Sequence, residues 1–255
     1  MLIKFVKGSR FIHIFTVLFN IFTIKGRKNK ITGILRGLIY KTALHIDGED
    51  NTVVLGKSCK VSASGIRVMG SGNRIIISEA ASLDKTDIWI VGDNNTLELG
   101  AGGKIYNCEF GMQQSGNLIK TDDNVSLGGY LQVGAYKSNA ARIGVYAFEG
   151  KSIVIGEDTI VAEGTVIRTS DSHSIYDMDG TRVNHAGDVF IGKKVWVCPG
   201  VTFLKGSGVG DFSVVGIKSL VTRDFSDSRN TLVLGTPAKI VKDNIYWELS
   251  VEQAE

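Results

Sequence analysis

Residues 155–167 read Ile155-Gly-Glu-Asp-Thr-Ile-Val161-Ala-Glu-Gly-Thr-Val-Ile167, with aliphatic residues six apart at 155, 161 and 167. After an interruption the step resumes at Ile191, Val197, Phe203, Val209, Val215 and Val221. Small or turn-forming residues follow most of them, as in Val209-Gly-Asp-Phe-Ser-Val214. Three such hexads make an 18-residue coil with three flat faces, one aliphatic side chain pointing inward from each.

Upstream the period is longer. Gly48, Gly70 and Gly92 stand 22 apart, as do Asn51, Asn73, Asn95 and Asn117. The same step joins Leu44, Ile66, Ile88 and Phe110, then Ile46, Val68, Ile90 and Met112. It also joins Val53, Ile75, Leu97 and Ile119, and Val61, Leu83, Ile105 and Leu127. Apolar pairs at period two are short strands with one buried face. Glycine and asparagine between them suit corners that need positive φ or a local side-chain bond. Stacked asparagines could form an amide ladder between coils, or simply be solvated turn residues. The longer coil is expected to be the same prism with about four extra residues at a corner. A right-handed helix of 22-residue coils competes for this half.

Composition agrees with a folded chain. Of 255 residues, 43% are hydrophobic, 22% charged and 31 are glycine, which excludes a disordered polymer. Cys59, Cys108 and Cys198 lie far apart, against a disulfide framework and in favour of a reducing, cytoplasmic setting. Charge is uneven: residues 1–46 hold nine Lys or Arg and no acid, leaving 20 basic and 26 acidic residues in the rest. Within this head, Phe11 to Ile24 has ten apolar residues among 14, with His13, Thr16, Asn20 and Thr23 spaced as one stripe of a helix. A helix of that length spans ~21 Å, too short to cross a bilayer. An amphipathic helix lying on anionic lipid, at the inner face of the membrane, or packed on the body or a neighbouring subunit, is the expectation. Nucleic acid is a poor partner, because interleaved basic and stacking aromatic residues are missing outside the apolar run. The chain thus divides into a basic helical segment 1–46, a parallel β-helix 47–225 with a loop at 168–190, and a tail 226–255. Asp243 to Glu255 is expected to be a short helix.

Between Ile167 and Ile191 the hexads fail. A polar loop leaves a rigid scaffold there, and His173 stands near its start, where an imidazole can take a proton from a hydroxyl near neutral pH. Asp171 could orient that ring or be a solvated loop acid. His185, in the same loop, is the rival. Trp196 precedes the inward Val197 and therefore points outward.

The hexads over residues 143–225, with Ser170-Asp-Ser-His173-Ser-Ile-Tyr176-Asp, Val183-Asn184 and Ile191-Gly-Lys-Lys-Val-Trp196, resemble the hexapeptide-repeat acyltransferases. These fold as left-handed parallel β-helices, and the loop is most similar to that of capsule and lipopolysaccharide sugar O-acetyltransferases. The resemblance implies His173 as catalytic base and Trp196 as an active-site wall. It also implies acetyl-CoA as co-substrate, no metal, a polysaccharide acceptor, and a homotrimer with sites between subunits. Val215-Gly216-Ile-Lys218-Ser219-Leu-Val-Thr-Arg223 and Leu234-Gly-Thr-Pro237-Ala-Lys239 look like the family's coenzyme end. They imply Gly216 and Ser219 along the pantetheine arm, Pro237 beside adenine, and Lys239, Arg223 or Lys242 at phosphates. Ile217 and Lys218 depart from the family's small residues, and Lys218 could instead meet a phosphate. Tyr176, Arg182 and Asn184 are candidates for the acceptor sugar. An acetyltransferase on a small or nucleotide-linked amino sugar, or a non-catalytic solenoid, are the alternatives.

Overall fold

Repeats of this kind are stable only when stacked, since a single coil cannot bury its inward side chains. The computed structural model, which describes residues 12–17, 20–128 and 141–249, shows nine stacked coils. Their strands form three sheets, here called faces A, B and C in the order the chain visits them. Face A has ten strands, face B nine and face C ten, and all pairings are parallel except one at an end of face A and one at an end of face C.

The registers follow the sequence step. Leu44 pairs Ile66, Ile66 pairs Ile88 and Ile88 pairs Phe110 on face A. Val53, Ile75, Leu97 and Ile119 align on face B, and Val61, Leu83, Ile105 and Leu127 on face C. All of these are buried and form one continuous core through both halves of the chain. The four additional residues of the long coil are not at a corner. They lengthen two faces: Gly65–Met69 and Arg74–Ile77 present inward pairs, whereas Thr202–Phe203 and Gly208–Val209 present short strands of two residues.

The asparagine ladder is real. Asn51, Asn73, Asn95 and Asn117 each donate a side-chain N–H to the Oδ1 of the asparagine one coil earlier, at 3.0, 3.1, 3.0 and 2.7 Å. Their backbone N–H groups bond the same oxygens, so a buried amide column satisfies the corner. Gly48, at φ 150°, turns beside it, and a Cβ there would lie 1.9 Å from the carbonyl oxygen of Gly70.

The helix expected in the basic head is absent. Ile12–Val17 and Asn20–Lys25 are strands, paired antiparallel through Val17 and Asn20. The physical reason is the core: Phe22 and Ile24 pair with Leu44 and Ile46, continuing the 22-residue step backwards. β-Branched and aromatic residues in this run suit a half-buried strand. Ile31 and Ile39 join Val53 and Val61 in the same way, so the first coil begins at Asn20, inside the basic segment. A single 3₁₀ turn, Ile34–Arg36, is the only helical element among the described residues, and residues 243–249 contain no helix either. The start of the expected apolar helix, at Phe11, lies outside the described residues, as does the end of the expected C-terminal helix.

Candidate active site

The polar loop leaves the end of strand Val166–Arg168 on face A and rejoins the prism at Val189–Ile191 on face B. Its departure is fixed by buried polar groups. Thr169 Oγ1 accepts from the N–H of Phe148 at 2.8 Å and donates to its carbonyl at 3.1 Å. Ser170 Oγ donates to Glu149 and accepts from the N–H of Ser172. Arg168 bonds the Ser170 carbonyl at 2.7 Å and Ser172 Oγ at 2.8 Å. Ser172 takes a left-handed φ of 68°, which throws His173 outward.

Two limbs of the loop are then tied together. Asn184, buried, accepts from the N–H of Ile175 at 2.7 Å and donates to the His173 carbonyl at 2.8 Å and to Asp171 at 2.9 Å. Arg182 grips both oxygens of Glu149, and with the Ser170 hydroxyl it holds that carboxyl down to about 2. Asp171 is paired with Lys205 at 2.5 Å, and this partner holds its carboxyl below the ordinary value. The His173 imidazole is exposed and bonds no side chain or backbone group among the described residues.

The candidate residues therefore separate. Asp171 is engaged by Lys205 and Asn184, and forms no bond to the His173 ring. Arg182 and Asn184, read as sugar contacts, are occupied in bracing the loop. Tyr176 is 60% exposed and bridges Arg182 through the backbone. His185 is also exposed. Glu149 and Lys205 were missed: they lie 33 and 34 residues from their partners, and no fixed spacing announces either.

Trp196 sits on face C, 41% exposed, with its ring 6.0 Å from that of Trp247. The loop bearing His173 springs from the corner between faces A and B, so one chain does not bring these two together. At the corner between faces C and A, Lys218 and Ser219 meet the turn that carries Pro237. The turn joining Leu232–Gly235 to Ala238–Lys242 holds Thr236-Pro237, and its Gly235 N–H donates to Ser219 Oγ at 3.1 Å. Thr236 Oγ1 reaches the Lys218 carbonyl at 3.4 Å. Lys218, Pro237, Lys239 and Lys242 are exposed, whereas Ser219 is buried and spent on the turn. Arg223 belongs to the corner between faces A and B, with its guanidinium 4.8 Å over the Phe225 ring. Ala162, Cys198 and Gly216 directly follow the paired residues Val161, Val197 and Val215 in successive coils of face C, with Leu234 of the next coil against Gly216.

A parallel β-helix built partly of hexads, with an exposed histidine on a braced loop, is the architecture expected from the resemblance to the hexapeptide-repeat acyltransferases. No family model matches the chain. The chain is 33% identical to the polysialic acid O-acetyltransferase of Neisseria meningitidis over 229 residues, 89% of either protein. In structure it resembles the polySia specific acetyltransferase NeuO, at 26% identity and TM-score 0.71 over 88% of this chain and 86% of that one. It also resembles the polysialic acid O-acetyltransferase OatWY, at 29% identity and TM-score 0.56 over 89% and 91%. The chain belongs to this family of hexapeptide-repeat sugar O-acetyltransferases, and is an O-acetyltransferase.

Proposed function

We propose that the protein transfers the acetyl group of acetyl-CoA to a hydroxyl of a capsular polysaccharide, with His173 as general base. Polysialic acid, named for the relatives, is the first acceptor to test. The observation that carries the reading is the division of labour in the loop. Asp171, Arg182 and Asn184 are spent on holding it, while the His173 imidazole stays exposed and uncommitted.

The row of Ala162, Cys198 and Gly216 fits a slender pantetheine arm, and the exposed ammonium groups of Lys218 and Lys239 fit its phosphates. Bound acetyl-CoA supplies an activated thioester carbonyl. His173 takes the proton of the acceptor hydroxyl while that oxygen attacks the carbonyl carbon. The carbon–sulfur bond then breaks, and the imidazolium returns the proton to the departing sulfur, leaving the histidine as it began. His173 and Trp196 lie on different sides of one prism, which supports a site formed between two copies, and the assembly we propose is a homotrimer.

Thiol release from acetyl-CoA with polysialic acid and other capsular polymers tests the proposal. Acceptor-dependent release that falls ~10²–10⁴-fold in His173→Ala supports it. Release with small amino-sugar acceptors and none with polymers would move the acceptor class. An unchanged rate in His173→Ala would remove the base.

A further inference from the structure

Three ties stand out among those that hold the loop presenting His173. One is internal, Asn184 joining its limbs, and one comes from the preceding coil, where Glu149 receives Arg182 and Ser170. The third comes from the following coil. Lys205 projects from the turn Leu204–Ser207, where Ser207 returns both its N–H and its hydroxyl to the Leu204 carbonyl. A lysine on so tight a turn has a fixed point of origin. Its ammonium meets the Asp171 carboxylate at 2.5 Å, and the other donor on that same carboxylate oxygen is Asn184, which also holds the His173 carbonyl at 2.8 Å. A chain of three contacts thus runs from the prism to the backbone of His173.

We propose that Lys205 is a positioning residue of the acetyl-transfer site, setting the place of His173 through Asp171 and Asn184. The inference rests on His173 being the base. Lys205 touches no reacting atom in this account. With side chains 25% and 36% exposed, the Lys205–Asp171 pair adds little to global stability, so its consequence lies in geometry. A base displaced by about an ångström loses on the order of 10²-fold in rate. Removing the ammonium frees Asp171 to follow solvent, and Asn184 then anchors to a mobile partner.

The test uses full-length Lys205→Met, Lys205→Arg and Asp171→Asn proteins with two readouts. The first is amide hydrogen exchange of the acceptor-free protein. Exchange over 171–185 is expected to rise about 10-fold in Lys205→Met, while strands 189–203 and 214–221 stay protected. The second is steady-state kinetics: kcat falls about 10–100-fold, both KM values hold, and Lys205→Arg recovers most of the rate. Asp171→Asn gives a similar loss, and the double variant loses no more than either single one, since the two act as one unit. Unchanged exchange in the loop overturns the proposal. So does a rise in KM for acetyl-CoA at constant kcat, which would make Lys205 a coenzyme contact. Loss of protection throughout the coils would make it a fold residue. If the native protein turns over no acceptor, the acetyl-transfer reading fails separately, and the exchange of the loop alone decides whether Lys205 anchors it.

Discussion

Arg182 closes on Glu149 with two hydrogen bonds, 2.6 and 2.9 Å, and so draws the outer limb of the loop back to the prism. The contact joins residues 33 apart that no strand register connects. Its carboxylate is ionised far below the usual range because Arg182 and then Ser170 bond the charged form.

The pH consequence has a definite sign. The carboxyl moves from an ordinary 4.5 to about 2 on folding, so its contribution is complete above about pH 4.5 and fades as pH falls toward 2. Loop protection in hydrogen exchange should be flat from neutral to mildly acid pH and drop within that window. Glu149→Gln should show the loosened loop already at neutral pH. A transition of the native loop near pH 6 would contradict this account.

Breaking the amide column should be costly. Asn95→Ala takes the acceptor away from two buried donors of Asn117 and a donor away from the buried Asn73 amide oxygen and the Gln114 carbonyl. The expected loss is about 3 kcal/mol, read from the shift of the denaturant midpoint. A shift below about 1 kcal/mol would mean that water replaces the amide.

Two glycines give a contrast. Gly70 has φ 133°, and a Cβ would lie 2.1 Å from the Gly92 carbonyl oxygen. Gly116 has φ 76° and open space around its Cβ position. Gly70→Ala should therefore cost about 3 kcal/mol or more and Gly116→Ala about 1 kcal/mol, measured by the same unfolding series. Equal losses would show that backbone conformation alone sets the penalty.

The three thiols should differ in reactivity. Cys59 and Cys108 are buried, and burial pushes the Cys108 thiol up to about 12. Cys198 is half-buried, with its thiol also raised by burial. Alkylation of native protein should mark Cys198 alone, slowly at neutral pH and faster as pH rises, because the thiolate reacts. Coenzyme A should slow it further; labelling indifferent to the coenzyme would move the pantetheine track elsewhere.

The sequence announced the coils because inward residues recur at a fixed step, from Leu44 to Phe110 and from Ile191 to Val221. The same step reaches back to Phe22 and Ile24, yet His13, Thr16, Asn20 and Thr23 also fit a helical stripe, and that coincidence masked the first coil. Motif resemblance singles out His173 and Trp196 as candidates, and the structure leaves both side chains partly or fully exposed. Their supports were not legible. Glu149 and Lys205 reach the loop because they stand at the same corner, between faces A and B, in the coils before and after it, and the loop between them has no period from which its partners could be read.

The reversed strands at the two ends bear on how another chain could stack there. All other backbone bonds between coils run along one axis, so each exposed end is a template onto which another parallel strand could grow. Ile12–Val17 covers the edge of face A at one end, and Ala238–Lys242 covers the edge of face C at the other. Each presents chain direction opposite to the one a stacking copy would extend. In this sense the molecule is a filament segment with one of its three faces closed at each end by a strand that runs the wrong way.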